Sequence, residues 1–133
     1  MKKVLITGAS GVLGRAMVAA CAEAGLPVIQ AVRDAGRARP GIEHVLFDYT
    51  RPETLAPAME GIGGLFLVAP PLDPEAPAKL APAVACAREA GAGQIVFISA
   101  MGVNHNEQAP LRKVEHMVME SGIPYAILRP NFF

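Results

Sequence analysis

Residues 4–15 read Val4-Leu5-Ile6-Thr7-Gly8-Ala9-Ser10-Gly11-Val12-Leu13-Gly14-Arg15. An apolar strand is followed by a glycine-rich turn and then by the start of a helix. Gly8 permits a tight turn, Gly11 lets the backbone approach a phosphate, and Gly14 lets the helix pack close to the strand. The stretch therefore predicts a dinucleotide site, with the pyrophosphate at the N-terminus of the helix.

The same turn also has a purely structural interpretation, because glycine-rich strand–helix turns occur without a ligand. The strand before the glycines and the amphipathic helix after them favour cofactor binding. Thr7 and Ser10 add hydroxyl groups that can bond to phosphate or cap the helix.

The composition fits one domain that covers residues 1–133. Hydrophobic residues make up 52% of the chain and the formal net charge is zero. Because there is no basic tract, we expect no nucleic-acid partner. No apolar run reaches the ~18 residues of a membrane span and no signal peptide is visible. We therefore expect a cytoplasmic protein without a membrane partner.

The cysteines and histidines carry no recognisable metal or redox spacing. Cys21 and Cys86 both fall in predicted helices, and we interpret them as small buried residues in a reducing compartment. His44, His105 and His116 are equally scattered. The sequence therefore predicts no metal site, no disulfide and no catalytic thiol.

Apolar strands alternate with helices from one end of the chain to the other. The predicted strands cover residues 3–7, 28–32, 43–47, 64–69, 94–99 and 125–128. The predicted helices cover residues 12–24, 52–59, 74–90 and 109–121. This alternation predicts an α/β fold of the doubly wound, Rossmann type, with a parallel sheet in the order 3-2-1-4-5-6.

Two helices carry more detailed predictions. Pro82 lies inside the helix over 74–90 and is expected to kink it or shift its start. The periodicity of the first helix predicts an inward face made of Leu13, Met17, Ala20, Cys21 and Ala24.

Ligands of doubly wound sheets lie at the carboxyl ends of the strands, near the point where the strand order reverses. Applied to the predicted strands, this rule selects the residues that follow each of them. The candidate cofactor-binding residues are Thr7, Gly8, Ser10, Gly11, Val12, Leu13, Arg33, Asp48, Tyr49, Ala69, Pro70, Pro71, Ser99, Ala100 and Pro130.

Arg33 follows the second strand at the position where an acidic residue would bind the ribose 2′-hydroxyl of NAD. A planar, permanently charged guanidinium suits a 2′-phosphate instead. We therefore predict NADP(H) as the preferred cofactor and NAD(H) as the weaker one. A solvated surface arginine is the alternative, and the neighbouring Asp34 can pair with Arg33 or face a ribose itself.

Asp48 follows the third predicted strand and can accept a hydrogen bond from an adenine amino group. The alternative is an Asx turn that starts the next helix. The residue types alone leave these two interpretations open.

Four stretches of the chain resemble one known family in sequence and in order. They cover residues 6–14, 47–49, 96–102 and 115–133, and the glycine stretch and Leu128-Arg129-Pro130 are the most specific. The chain resembles the NmrA-like atypical short-chain dehydrogenases. This resemblance implies a Rossmann fold, NAD(P) binding, and either NADPH-dependent reduction of quinones or sensing of NADP.

One departure from that resemblance concerns catalysis. Catalytic members of the wider superfamily carry Tyr-x-x-x-Lys on the helix that here contains Lys113, but the residue four positions earlier is Ala109. Carbonyl reduction with a general acid is therefore less expected, although hydride transfer does not require the tyrosine. We expect Lys113 to be a solvated residue without a strong catalytic role, and Tyr125 to pack in the sheet or core. No catalytic residue is assigned.

A second departure concerns length. Family members usually continue past the Leu-Arg-Pro-Asn-Phe-Phe stretch into a smaller C-terminal lobe that forms the substrate pocket, and we expect this lobe to be absent. Two functions stay open: an NADPH-dependent reductase of quinones or similar small electrophiles, and an NADP(H)-sensing module that a regulatory protein partner reads.

An apolar patch is also expected at the carboxyl edge of the sheet. Monomers rarely leave large patches of this kind in water, so we expect a homodimer or disorder of the last residues. The patch would consist of Pro70, Pro71, Leu72, Met101, Phe132 and Phe133.

Overall fold

The computed structural model describes residues 2–131, which form six strands and four helices. A helix lies between successive strands everywhere except between the second and third, which a 3-10 turn joins. The strands are β1 (Lys3–Ile6), β2 (Val28–Val32), β3 (His44–Leu46), β4 (Ile62–Val68), β5 (Gln94–Ile98) and β6 (Tyr125–Leu128). The helices are α1 (Val12–Glu23), α2 (Leu55–Met59), α3 (Ala76–Glu89) and α4 (Pro110–Met119). Short 3-10 turns cover Ala35–Arg37, Pro52–Thr54 and Val103–His105.

All six strands pair in parallel in one sheet with the order β3-β2-β1-β4-β5-β6. Leu5 on β1 lies between Ile29 on β2 and Leu65 on β4. The predicted doubly wound fold and its strand order are confirmed. β1 and β4 are neighbours in the sheet but not in the chain, and the chain leaves them toward opposite edges. A crevice therefore opens between their carboxyl ends.

The core consists of two apolar layers, one on each face of the sheet. Leu5 and Leu65 belong to the layer that packs against α2, α3 and α4. Ile6 and Phe66, one residue further along each strand, belong to the layer that packs against α1. Successive side chains of a strand point to opposite faces, so strands buried on both faces need the continuous apolar runs that the sequence shows.

Several element boundaries differ from the sequence-based expectation. β4 begins at Ile62, which pairs with Lys3, two residues before the predicted start. The predicted helix over 52–59 is a 3-10 turn followed by α2. α3 begins at Ala76 instead of 74, because the Asp73 carboxylate accepts a hydrogen bond from the Glu75 backbone N–H just before it. Pro82 lies inside α3 without ending it.

The predicted inward face of α1 is correct in part. Cys21 is buried, and the half-buried Leu13 and Met17 pack against the core layer on this face of the sheet, whereas Ala20 and Ala24 are exposed. Gly14 and Val18, which the prediction left out, are buried. Gly14 packs so closely on the turn that a Cβ there would lie 1.9 Å from the Gly8 carbonyl oxygen.

Three further expectations change at the level of single residues. Cys86 is half-buried instead of buried. Tyr125 is 46% exposed, because β6 is the last strand of the sheet and has a neighbour on one side only. The predicted contribution of Phe132 and Phe133 to an apolar patch lies outside the described residues.

No helix within residues 2–131 has both the length and the apolar character needed to cross a membrane.

Candidate cofactor-binding site

The glycine turn has the geometry that its spacing predicts. Gly8 adopts a φ of +62°, which favours glycine, and its carbonyl oxygen accepts a hydrogen bond from the Gly11 N–H at 2.9 Å. The contact of Gly14 with the Gly8 carbonyl brings α1 directly against this turn. The tight turn and the close packing are therefore confirmed, and the packing partner of Gly14 is the turn itself.

The N-terminus of α1 carries no side-chain cap. Gly11 is the N-cap residue and no side chain bonds to the first turn of the helix, so the prediction that Thr7 or Ser10 caps it is wrong. Ser10 and Val12 are exposed at this end and Leu13 is half-buried. An anion at this end of the helix would therefore meet backbone N–H groups that no side chain has claimed.

Thr7 is buried and serves the sheet instead of the helix. Its hydroxyl donates to the Phe66 carbonyl at 3.0 Å and accepts from the Val68 N–H at 2.8 Å. The proton of this hydroxyl and one of its lone pairs are thus engaged by β4. Thr7 positions the glycine turn and does not present its hydroxyl to a phosphate.

Tyr49 reaches across the carboxyl edge of the sheet. Its hydroxyl donates to the Val68 carbonyl at 2.9 Å, and its ring meets Phe47 edge to face with a centroid separation of 5.3 Å. Burial raises the pKa of the Tyr49 phenol, which outweighs the lowering effect of the nearby Thr7 hydroxyl. The phenol therefore remains a neutral hydrogen-bond donor at physiological pH.

Asp48 forms an Asx turn. Its Oδ1 accepts hydrogen bonds from the Thr50 N–H at 2.9 Å and from the Thr50 hydroxyl at 2.7 Å. The bond from the Thr50 hydroxyl contributes most to lowering the pKa of Asp48, and the positive charge of Arg33 lowers it further. The structural interpretation of Asp48 therefore applies, and the side chain also lies within the electrostatic reach of Arg33.

A cavity of about 430 Å³ lies between the glycine turn and the segment after β2. Arg15, Arg37 and Arg39 contribute to its lining and no carboxylate does. Arg33, at the end of β2, is exposed to solvent and precedes Arg37 and Arg39 by a few residues in the sequence. Within residues 2–131, none of these four arginines forms an ion pair; Asp34 instead accepts a hydrogen bond from the Gly36 N–H. The lining of the cavity therefore carries positive charge only.

Gln30 holds the arginine-bearing segment in place, a role that the sequence analysis missed. The side chain is buried on β2. Its oxygen accepts from the Arg39 N–H at 2.7 Å, and its NH₂ group donates to the carbonyls of Arg39 and Ile42 at 3.0 and 3.1 Å. A polar residue in the middle of an apolar strand is the signal that would have identified it, because buried amides need partners.

The three arginines that line the cavity were also missed. Arg37 and Arg39 follow β2 within a few residues, and Arg15 directly follows the last glycine of the turn. Their arrangement around one cavity depends on the packing of α1 beside the segment after β2, which the sequence pattern does not contain. The local density of arginine after β2 was the available signal.

The loop after β4 continues the site toward the other side of the crevice. Ala69 and Pro70 are half-buried, and Pro71 and Leu72 are exposed. Leu72 has a φ of 51°, a left-handed conformation that is uncommon for a side chain of this kind. Val68 contacts the glycine turn, since a Cβ on Gly8 would lie 3.4 Å from the Val68 Cβ. The predicted residues after β1 and β4 are therefore neighbours.

A buried carboxylate lies beneath the ends of β5 and β6. Glu115 on α4 has no solvent exposure, and it accepts hydrogen bonds from Arg129 at 2.9 and 3.1 Å and from Arg112 at 2.8 Å. Burial would raise the pKa of Glu115, but the bonds from these cations and the nearby Ser99 hydroxyl outweigh it and hold the pKa at about 2. Ser99 is itself buried, and its hydroxyl makes no hydrogen bond of normal geometry with the described residues.

This carboxylate supports the backbone at the predicted site. The Ser99 N–H donates to the Leu128 carbonyl at 2.7 Å, and the Met101 N–H donates to the Pro130 carbonyl at 3.1 Å. Arg129, which donates to Glu115, lies between Leu128 and Pro130, whose carbonyls accept these two bonds. Ser99, Ala100 and Pro130 are thus brought together at the edge of the sheet. Lys113 is exposed on α4, and Ala109 precedes that helix.

No group of three or more histidine, cysteine, aspartate or glutamate side chains within residues 2–131 could hold a metal ion.

A family model described as NAD(P)H-binding matches residues 8–133. The chain is 32% identical to prestalk A differentiation protein A of Dictyostelium discoideum, over 98% of this chain and 44% of that protein. It is 29% identical to the NAD(P)H azoreductase of Xenophilus azovorans, over 98% of this chain and 48% of that protein. The chain thus spans about half the length of these relatives.

Two solved structures are similar in fold. The Escherichia coli NADPH-dependent quinone oxidoreductase QOR2, complexed with NADPH, has a TM-score of 0.88 at 24% identity, over 98% of this chain and 49% of that one. The Citrobacter sp. triphenylmethane reductase, complexed with NADP(H), has a TM-score of 0.82 at 27% identity, over 97% of this chain and 49% of that one. The predicted resemblance to oxidoreductases of this type is confirmed, and the chain belongs to the NAD(P)H-binding family.

Proposed function

We propose that the chain binds NADP(H) and forms the cofactor-binding part of an NADPH-dependent oxidoreductase that acts on quinones or similar small electrophiles. The arginine-lined cavity beside the glycine turn carries this proposal. It has the charge and the position for a 2′-phosphate, while the N-terminus of α1 has the free backbone donors for a pyrophosphate. The structurally similar quinone oxidoreductase is NADPH-dependent by name, and the related azoreductase uses NAD(P)H.

Arg15, Arg37 and Arg39 line one cavity that has no carboxylate in its lining, and Arg33 is exposed at the end of β2. A phosphate dianion in this cavity would receive several charge-assisted hydrogen bonds. The ribose 2′-hydroxyl of NAD carries no charge and would gain less from the arginines, which is why we infer a preference for NADP(H).

The chain's own residues would bind and orient the reactants more than exchange protons with them. The bound nicotinamide cofactor supplies the hydride chemistry. Ala69, Pro70, Ser99, Ala100 and Pro130 would contact its nicotinamide half from the ends of β4, β5 and β6. Ala109 offers no hydroxyl where a general acid would stand, so electrophiles that accept a hydride without enzymic protonation suit this site best.

The proposal also covers the cellular location and the oligomeric state of the protein. Cys21 and Cys86 are both free, as expected of a cytoplasmic protein. Leu72 is fully exposed and Met101 is 62% exposed, and both follow neighbouring strands at the same edge of the sheet. We infer that this apolar edge is covered in solution by a second copy of the chain, which is one of the two outcomes expected from the sequence. Sedimentation at micromolar concentration tests the second copy, and a monomer at that concentration would contradict it.

The cofactor preference is tested by titrating the protein with NADPH and with NADH. A charge-assisted contact contributes about 1.5–3 kcal/mol, so NADPH should bind at least about tenfold more tightly. Arg33→Ala and Arg37→Ala should each reduce that ratio and leave the NADH affinity nearly unchanged. Arg88→Ala removes an exposed arginine on α3, far from the site, and should leave both affinities unchanged. Equal binding of NADPH and NADH to the unaltered protein would refute the proposal.

The reaction is tested by following NADPH oxidation with a panel of quinones and azo compounds. Turnover that saturates with the quinone and depends on Gly11 supports the oxidoreductase assignment. Tight NADPH binding without turnover for any member of the panel would favour the sensing function instead.

A further inference from the structure

β4 extends past the end of β1 at the crevice of the sheet. β1 ends at Ile6, which pairs with Phe66, and the Thr7 N–H makes one more backbone bond to the Phe66 carbonyl at 2.9 Å. The chain then turns away at Gly8. Val68 lies two residues beyond Phe66 and points to the same side of β4, so its N–H and C=O face the space that β1 has left.

Two side chains occupy that space and replace the missing strand. Thr7 accepts the Val68 N–H, and Tyr49 donates its hydroxyl to the Val68 carbonyl. Thr7 comes from the adjacent strand end. Tyr49 comes from the loop after β3, which is three positions away from β4 in the sheet. The Tyr49 hydroxyl therefore ties the loop on one side of the crevice to the end of the strand on the other.

The two sides of this crevice carry different parts of the proposed site. The arginine-lined cavity and Asp48 lie on the β2–β3 side. Ala69 and Pro70 directly follow Val68 on the β4 side. Because a peptide plane is rigid, fixing the Val68 carbonyl also fixes the Ala69 N–H and the start of that loop.

We propose that Tyr49 is a positioning residue whose hydroxyl fixes the Val68–Ala69 peptide, and that this holds the nicotinamide side of the site in register with the adenosine side. The inference rests on the proposed NADP(H) function. The ring of Tyr49 is held independently of the hydroxyl, by its edge-to-face contact with Phe47 and by its packing against the core below. The hydroxyl is thus free to donate to the Val68 carbonyl.

The test separates the two halves of the cofactor. NADPH contacts both sides of the crevice, whereas adenosine 2′,5′-bisphosphate contains only the half that the arginine side would bind. Tyr49→Phe keeps the ring and removes the hydroxyl. We expect the Kd for NADPH to rise about tenfold, a change of 1.4 kcal/mol, while the Kd for the bisphosphate stays within about twofold.

Tyr125→Phe is the matched control, because it removes a phenolic hydroxyl from the exposed start of β6 and should change neither Kd. Thr7→Val releases the N–H of the same Val68 residue and should shift the ratio of the two Kd values in the same direction. Equal weakening of both ligands by Tyr49→Phe would indicate a general structural role and overturn the inference, as would an unchanged Kd for NADPH. Failure of the unaltered protein to bind NADPH would instead refute the proposed function.

Discussion

At the scale of single residues, the glycines of the turn have different structural roles. Gly8 supplies a positive φ, whereas Gly11 has an ordinary φ of −84° and is exposed at the start of α1. A Cβ on Gly11 would meet one atom within 4 Å, the Gly8 carbonyl oxygen at 3.3 Å. The fold therefore leaves room for a side chain at position 11, while the proposed phosphate site does not.

This difference leads to a prediction for Gly11→Val. The new side chain would occupy the place of the pyrophosphate, so the affinity for NADPH should fall by at least about tenfold, or 1.4 kcal/mol. The melting temperature should stay within a few degrees of the original, because the site is exposed. Fluorescence titration and thermal melting followed by circular dichroism measure the two quantities. An unchanged NADPH affinity would place the pyrophosphate elsewhere.

Lys113 gives a second prediction at this scale. It is exposed on α4 and lacks a tyrosine four residues earlier, so it has neither the partner nor the buried setting of a catalytic lysine. Lys113→Ala should reduce the rate of quinone reduction by much less than about a hundredfold, the lower end of a typical acid–base contribution. A steady-state rate measurement decides this, and a larger loss would assign catalysis to Lys113.

At the scale of secondary structure, α4 and β6 are joined through charge. Glu115 lies on α4 and Arg129 directly follows β6, and their two hydrogen bonds are shielded from water on the carboxylate side. Removing one partner of a buried ion pair leaves the other uncompensated, which costs about 3–5 kcal/mol. Glu115 therefore adds a buried ionic contact between α4 and the end of β6 to the backbone pairing of β6 with β5.

The pKa of Glu115 leads to a prediction about pH. The folded protein holds this pKa at about 2, below the ordinary value of 4.5 for a glutamate. A lowered folded-state pKa stabilises the protein above the unfolded value, and this contribution is lost as the pH falls from 4.5 toward 2. The shift corresponds to about 3 kcal/mol. Urea unfolding at pH 7 and pH 3 should show a larger loss of stability in the original protein than in Glu115→Gln; equal losses would contradict the assignment.

The elements themselves were predictable, because buried parallel strands need apolar runs and helices need their own period. The side-chain hydrogen bonds that link one element to another were not predictable. Thr7, Gln30 and Tyr49 bond to backbone groups that lie 9 to 61 residues away, and such pairs exist only once the sheet has formed. The burial of Gly14 on α1 was missed for a related reason, since it results from contact with the turn and not from apolar periodicity.

At the scale of the whole molecule, the groups of the candidate site lie together at one edge of the sheet. The glycine turn, the arginine cavity and the ends of β4, β5 and β6 all lie at the carboxyl ends of the strands, while both faces are apolar and covered by helices. A ligand at this edge touches segments from most of the chain. Its binding should therefore stabilise the molecule as a unit.

This arrangement predicts a large thermal response to the cofactor. NADPH at about one hundred times its Kd should add about 2.7 kcal/mol to the free energy of unfolding, which raises the melting temperature by several degrees in a domain of this size. NADH at the same concentration should raise it less. Differential scanning fluorimetry with both cofactors measures the effect, and equal shifts would argue against the arginine cavity as a phosphate site.

The contact between Gly14 and the Gly8 carbonyl has a consequence for how this sequence can change. Every single-nucleotide change that replaces a glycine codon with another amino-acid codon adds at least a Cβ, and at Gly14 that atom would overlap a backbone oxygen at 1.9 Å. Gly11 faces no such overlap. In a saturation-mutagenesis library sorted only for folded protein, position 14 should retain glycine alone, whereas position 11 should accept many residues. When the same library is sorted for NADPH binding, the variants that bind should carry glycine at position 11.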